Sequence, residues 1–343
     1  MEDSFSKLQE MVPDSEKRTL NHAAPQLQRN ILAPHSAVGF ADTSPGSLST
    51  KSRDFVVVTD SVAQVPPEIA QQLGIRVMPF SLTINGEKYL DGVNLLPAEL
   101  YRRMRYEKVL PQTSAPSVGE YLAVFLDCIR AGAQSILCVT LSSRLSGGYS
   151  TACAAARLVR EEFPDREVVV IDSKLATIAQ GFVAIEAARL AEQSASLEQV
   201  IAKVKDVQPR VGIAATVETL EYLALGGRIG KAAYLLGSLI QIMPVLTIDE
   251  DGVVAPVYRV RGNHKALNKI VEYVSSKAGK HDRLHLAVME ADAPEQAAYL
   301  EKLAVERFGP IDLWHTDFTP VMGMHTGPGV VGLGYFYEPI QDG

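Results

Sequence analysis

A chain of 343 residues exceeds the roughly 100–200 residues of one domain and points to two. Hydrophobic residues make up 47% and charged residues 21%, an ordinary globular balance with material for a sizeable core. The net charge of −7 argues against nucleic acid and anionic membrane surfaces as partners, and leaves room only for a local basic docking patch or a transient surface contact.

No stretch approaches the ~18 consecutive apolar residues of a membrane span, so stable insertion is not expected. The opening Met1-Glu2-Asp3-Ser4 mixes with charges of both signs and lacks the basic and apolar regions of a signal peptide. Cys128, Cys138 and Cys153 sit in apolar segments without metal-type spacing. They read as free, buried thiols of a reducing compartment, and a cytoplasmic protein is expected.

Residues 1–53 hold scattered Ser, Pro, Gln and Asn with no sustained apolar period, and are read as a disordered extension. The folded part opens at Phe55-Val56-Val57-Val58-Thr59, a β-branched run typical of a buried strand. Pro66-Pro67-Glu68 then opens a helix. A second strand is expected over 75–82, where Pro79 suits an edge or a bulge, and Asn85-Gly86 is a hairpin turn. Residues 117–131 form the clearest helix: Ser117 and Glu120 make a capping box, and Tyr121, Val124, Phe125, Cys128 and Ile129 share one face. A third strand runs to Leu141 and is followed by an Ala-rich helix over 149–163. A fourth covers 168–171, and helices follow over 181–195 and 197–207. Four apolar strands alternating with helices indicate an α/β domain over 54–207 with a doubly wound, mostly parallel sheet.

Beyond residue 208 the rhythm changes. Strands are expected over 211–217, 243–248, 253–260, 284–290, 311–318 and 330–337, with Asp249-Glu250-Asp251-Gly252 as a hairpin turn. Helices fall at 218–225, 264–280 and 294–308. This reads as an α+β domain over 208–343 with a mixed or antiparallel sheet, whose last strand is able to pack back on the first domain.

Chemistry concentrates in strand-end loops that carry hydroxyls: Asp60-Ser61, Thr113-Ser114-Ala115-Pro116, Ser142 to Ser146, and Asp172-Ser173. Ligands of open α/β sheets sit beyond the carboxyl ends of the strands. There Thr113 and Ser146 would offer neutral donors to a carboxylate or phosphate. Gly147 and Gly148 permit close backbone approach, beside the free amides of the next helix. Ser61, Ser117 and Ser173 also suit helix caps and turns. His325, beside the Gly327-Pro328-Gly329 turn, is expected on a stiff loop as a further donor.

Ser146, His325 and Asp60 or Asp172 supply the residue types of a hydrolytic triad, so an acyl-ester serine hydrolase stays open. The serine is not in a Gly-x-Ser-x-Gly elbow, however. A binding module for another small anion also stays open. Gly226-Gly227-Arg228-Ile229-Gly230-Lys231 is one residue too short for a phosphate loop and lacks its Ser/Thr, and Gly327-x-Gly329-x-x-Gly332 has no helix after it, so no nucleotide site is expected. His281 and His285 straddle a helix–strand boundary, and no metal is expected. Arg228, Arg259 and Arg261 are basic elements suited to a neighbouring loop, solvent or a partner.

The chain resembles the DegV family. The resemblance runs from about Phe55 to Pro339 through nine segments in family order. Five lie in the first half: Val58-Thr59-Asp60-Ser61, Tyr89-Leu90-Asp91-Gly92, Thr113 to Ser117, Leu141 to Tyr149, and Val170 to Ser173. Leu220 to Ile229, Pro244-Val245-Leu246, Val260-Arg261-Gly262 and His325 to Gly329 complete the set. Each segment is weak alone, and their order is specific. The resemblance implies a fatty-acid-binding protein, the lipid-carrying subunit of a bacterial fatty acid kinase, with a fatty acid between two domains and no cofactor. Its carboxylate would meet Thr113 and Ser146, with His325 near and Ser114 and Gly147 beside them. A separate ATP-dependent kinase subunit would phosphorylate that carboxylate to an acyl phosphate for phospholipid synthesis. Arg228 and Arg261 would then order the entry region or dock the kinase. The family usually has Thr where this chain has Gly148, and Gln where it has Ala115.

Overall fold

Strand β1 (Phe55–Asp60) is the centre of a four-stranded sheet in the computed structural model, which describes residues 55–107, 109–237, 242–279 and 283–339. The expected extension over 1–53 and His281 lie outside the described residues. After β1 come α1 (Pro67–Leu73), opened by its prolines, and β2 (Arg76–Met78). The strand expected over 75–82 breaks at Pro79, which lacks the amide a continuous ladder needs. Beyond the break a separate strand, β3 (Ser81–Ile84), pairs with β4 (Glu87–Leu90). Asn85 and Gly86 turn this hairpin, both with positive φ (52° and 87°), as a primed turn requires.

Helix α2 (Pro97–Arg102) leads to β5 (Gln112–Ser114), which pairs antiparallel with β3 to complete a small sheet of order β4-β3-β5. Neither element carries enough apolar periodicity to be read from the sequence, yet β5 supplies Thr113. Helix α3 (Val118–Arg130) has the expected capping box, with Ser117 Oγ accepting from the Glu120 amide. Strand β6 (Ser135–Thr140), helix α4 (Gly148–Glu162), strand β7 (Glu167–Asp172), helix α5 (Thr177–Glu192) and helix α6 (Leu197–Val207) come next.

The first sheet is parallel throughout, in the order β2-β1-β6-β7. From β1 the chain crosses to β2 on one side, and from β6 to β7 on the other. The crevice where strand order reverses therefore opens at the carboxyl ends of β1 and β6, at Asp60 and Leu141. Helices α3 and α4 cover one face through Tyr121, Phe125, Ala152 and Val159.

The remaining chain forms β8 (Val211–Thr216), α7 (Glu221–Leu225), β9 (Met243–Ile248), β10 (Val254–Val260) and α8 (Asn263–Lys277). It ends with β11 (Arg283–Glu290), α9 (Pro294–Phe308), β12 (Asp312–Asp317), α10 (Pro320–Thr326) and β13 (Val331–Glu338). Its sheet has the order β10-β9-β8-β13-β11-β12, antiparallel except for the β11–β12 pair, and is thus mixed as expected. The last strand, β13, inserts between β8 and β11.

Helix α5 packs against both sheets. Its residues 177–188 are all buried, which explains why its sequence lacks a polar face. Two glycines bring the layers together: a Cβ on Gly181 would strike the Ala63 carbonyl, and one on Gly334 of β13 would strike Ile178. Phe182 stacks on Trp314 at 5.2 Å between ring centroids. The core cluster around α5 joins Val57, Leu137 and Val139 of the first sheet to Ile213, Met289 and Phe336 of the second.

Candidate functional site

Beside α5, a cleft opens at the strand ends of β1 and β6 and is closed on its far side by β8, β9 and α10. It encloses about 960 Å³ of space between atoms, its open mouth included, within the ~300–1,000 Å³ of small-molecule pockets. Its walls are mainly apolar, with Val62, Phe80, Leu141, Ile213, Leu246 and Phe318 among them. The polar side chains on it are Thr113, Ser146, Thr177, Arg228, Thr247, Thr326 and His325.

The loop after β6 carries three serines with three different positions. Ser142 is buried, and its hydroxyl donates to the Gly252 carbonyl (2.8 Å) in the β9–β10 turn. Ser143 is exposed, and its amide donates to Asp172 (3.1 Å). Ser146 lines the cleft, and its Oγ accepts from the Gly148 amide (3.2 Å) at the start of α4. Gly147 also lines the cleft and is exposed at its mouth, with open space where a Cβ would stand.

Thr113 reaches the cleft from β5, with its Oγ1 3.0 Å from His325 Nε2. Alternation along the strand puts Thr113 and Ala115 on the cleft side and leaves Ser114 exposed, outside the lining. His325 sits in the last turn of α10, which corrects the expectation of a loop. The cue was present: Thr319-Pro320 is a helix start with proline at its first position, but Gly323 interrupts the period. Burial first, and then the nearby Arg228 guanidinium, pull the His325 pKa down to about 4, so the imidazole is neutral at pH 7. Its Nδ1 has no protein partner among the described residues, and Gly226 packs so close that a Cβ there would strike it.

Arg228 lines the cleft and donates from Nε to the Leu145 carbonyl (3.0 Å), tying α7 to the serine loop. Arg261 is exposed beyond β10 and does not line the cleft. Lys231, which completed the phosphate-loop resemblance, pairs instead with Asp249 (2.7 Å) and Asp251 (2.6 Å). A triad geometry is not assembled: His325 faces Thr113, Asp60 accepts from the Leu141 amide, and Asp172 accepts from the Ser143 and Lys174 amides. Among the described residues no group of three or more His, Cys, Asp or Glu could hold a metal.

Behind the cleft lie two buried carboxyl groups whose role the sequence did not suggest. Asp60 Oδ2 accepts from the Leu141 amide (2.8 Å), at the root of the serine loop. Asp91 Oδ1 accepts from the Val321 amide (2.9 Å), in the first turn of α10. Ser61, expected as a cap, instead donates to Asp91 Oδ2 (2.6 Å) and accepts from the Phe80 amide (3.1 Å). Burial is the main cause that raises Asp60 to about 7 and Asp91 to about 6. Each carboxyl thus anchors one of the two elements that bring Ser146 and His325 together. The Asp91-Gly92 pair reads locally as a turn, and nothing in its neighbourhood announces α10, 230 residues later. Thr177 was missed as well, because the expected helix began at Gly181.

The sequence profile of the DegV family matches residues 54–338. A DegV domain-containing protein of Halalkalibacterium halodurans is 33% identical over 285 residues, covering 82% of this chain and 98% of that protein. Among solved structures, a DegV family protein from Thermus thermophilus described by its fatty acid binding superposes with a TM-score of 0.76 at 31% identity, over 83% of this chain and 99% of its own. A stearic-acid-binding protein from Eubacterium ventriosum gives 0.75 at 29% identity, over 82% and 97%. The sequence match spans both sheets and every element that lines the cleft, and this chain belongs to the DegV family.

Proposed function

We propose that the cleft binds a long-chain fatty acid, with the carboxylate at Thr113, Ser146, Gly147 and His325 and the chain along the apolar walls. The observation that carries this reading is the grouping of neutral donors in a mainly apolar cleft. A buried carboxylate needs hydrogen bonds, and hydroxyls and amides supply them. With His325 neutral and its proton on Nε2, the imidazole donates to Thr113 Oγ1. The single Thr113 proton is then free for a ligand oxygen. Arg228, held against the same loop, adds a positive field. Each methylene removed from water contributes about 0.8 kcal/mol, so the chain supplies most of the affinity and the polar end fixes orientation. Fatty acid binding by similar proteins from Thermus and Eubacterium supports the assignment.

The same reading makes the protein a carrier and not the catalyst. Gly147 is exposed beside the donors, which suits presentation of the carboxylate to a separate ATP-dependent kinase that forms the acyl phosphate. Arg261 on the surface and Arg228 at the cleft are the candidates for docking it and ordering the entrance. Native mass spectrometry of protein purified from cells, followed by oleate or palmitate titration, tests the binding. Protein that carries no fatty acid and takes up neither in titration would sink it. Presentation is tested by adding ATP and a fatty acid kinase catalytic subunit: hydroxylamine-trappable acyl phosphate forms only with both proteins present.

A further inference from the structure

A carboxylate held at Thr113, Ser146 and His325 leaves another polar point of the cleft unused. Thr177, the first residue of α5, is wholly buried and lines the same cleft. Its Oγ1 has no protein partner among the described residues. Its φ is +58°, a conformation that a β-branched residue adopts rarely because Cβ crowds the backbone. The preceding Ala176 is the helix cap and also lines the cleft, but it has no side chain to bond the free amides of the first turn. The sixteen-residue helix therefore presents an uncapped, partly positive end at a cleft wall, with an unsatisfied hydroxyl upon it. An apolar chain passing this point would leave donors without partners, which is costly in a buried place.

We propose that Thr177 and the amino end of α5 form a second polar subsite that takes an oxygen carried along the acyl chain, so that the protein accepts hydroxy or oxo fatty acids. The donors there call for an acceptor, and a hydroxyl or keto oxygen provides one without a second charge to bury. This subsite rests on the fatty-acid reading of the cleft and names a ligand class for it.

The test is a titration of the full chain with stearate and a panel of positional hydroxystearates. The subsite predicts one isomer, or two neighbouring ones, binding about five- to tenfold tighter than stearate, the ratio a buried hydrogen bond supplies. Thr177→Val should bring that ratio to about one, while Thr177→Ser should keep it. Both variants are checked by thermal melting, and the wild-type panel decides the matter even where the valine variant does not fold. Stearate binding with no favoured isomer, or a preference that survives Thr177→Val, overturns the subsite alone. Failure of stearate and every isomer to bind overturns the fatty-acid reading and the subsite together.

Discussion

The serine loop after β6 and helix α10 meet in one cleft, but they are held there differently. The loop is short and lies between a strand and a helix, with a main-chain bond from Ser146 to Ser142 (3.1 Å) and one carboxyl, Asp60, at its root. Helix α10 depends on distant partners. Asp91 accepts from its Val321 amide, the Tyr101 hydroxyl donates to the Phe318 carbonyl just before it, and Gly323 packs against the Tyr101 ring. The loop adds to its own main-chain closure the remote ties to Gly252 and Arg228, whereas α10 is placed by Asp91 and Tyr101, so His325 should be the more easily displaced.

The largest effect is expected from pH, because a buried carboxyl grips each half. Asp60 and Asp91 ionise in the folded protein near 7 and 6, against an ordinary 3.8. The folded state therefore keeps protons that the unfolded chain gives up. This contribution is fully present below about pH 4 and is lost as pH rises through 6 and 7, at about 1.4 kcal/mol for each pH unit that separates folded from unfolded ionisation. Asparagine imitates the neutral acid at every pH. Urea unfolding should thus show wild type losing stability relative to Asp60→Asn between pH 4 and 7, and relative to Asp91→Asn between pH 4 and 6. A flat difference would remove the buried carboxyls from the account.

Two glycine substitutions contrast the halves directly. Gly323→Ala places a Cβ into the Tyr101 ring, and overpacking of that kind costs about 1–3 kcal/mol and should weaken fatty acid binding as His325 shifts. Gly147→Ala meets open space at φ −76° and should change stability by less than about 0.5 kcal/mol. Equal losses in denaturant unfolding would erase the contrast.

A gain in place of a loss is expected at Gly148. A Cβ there would sit 3.5 Å from the Tyr121 hydroxyl and 3.7 Å from Phe80 and Ser146, ordinary contact distances. Gly148→Ala in the first turn of α4 should therefore raise stability by about 0.5–1 kcal/mol. A lower melting temperature would show that the position needs its glycine.

Much of the architecture was legible because its signals are local. The Asn85-Gly86 turn, the Ser117 capping box, the β-branched run of β1 and the period of α3 each depend on residues within a few turns. Signals of this kind located most of the strands and helices and the loops that carry hydroxyls. The residues Thr113, Ser146 and His325 were named from such loops, and all three reach the cleft. Long-range pairing decided the rest. Strand β5 exists because β3 offers it an edge, and α10 because Asp91 and Tyr101 meet it. Thr177 faces the cleft because α5 is wedged between two sheets. A sequence period reports which face of an element is apolar, but not which distant element covers it, and that covering set the positions of the buried carboxyls and of Thr177.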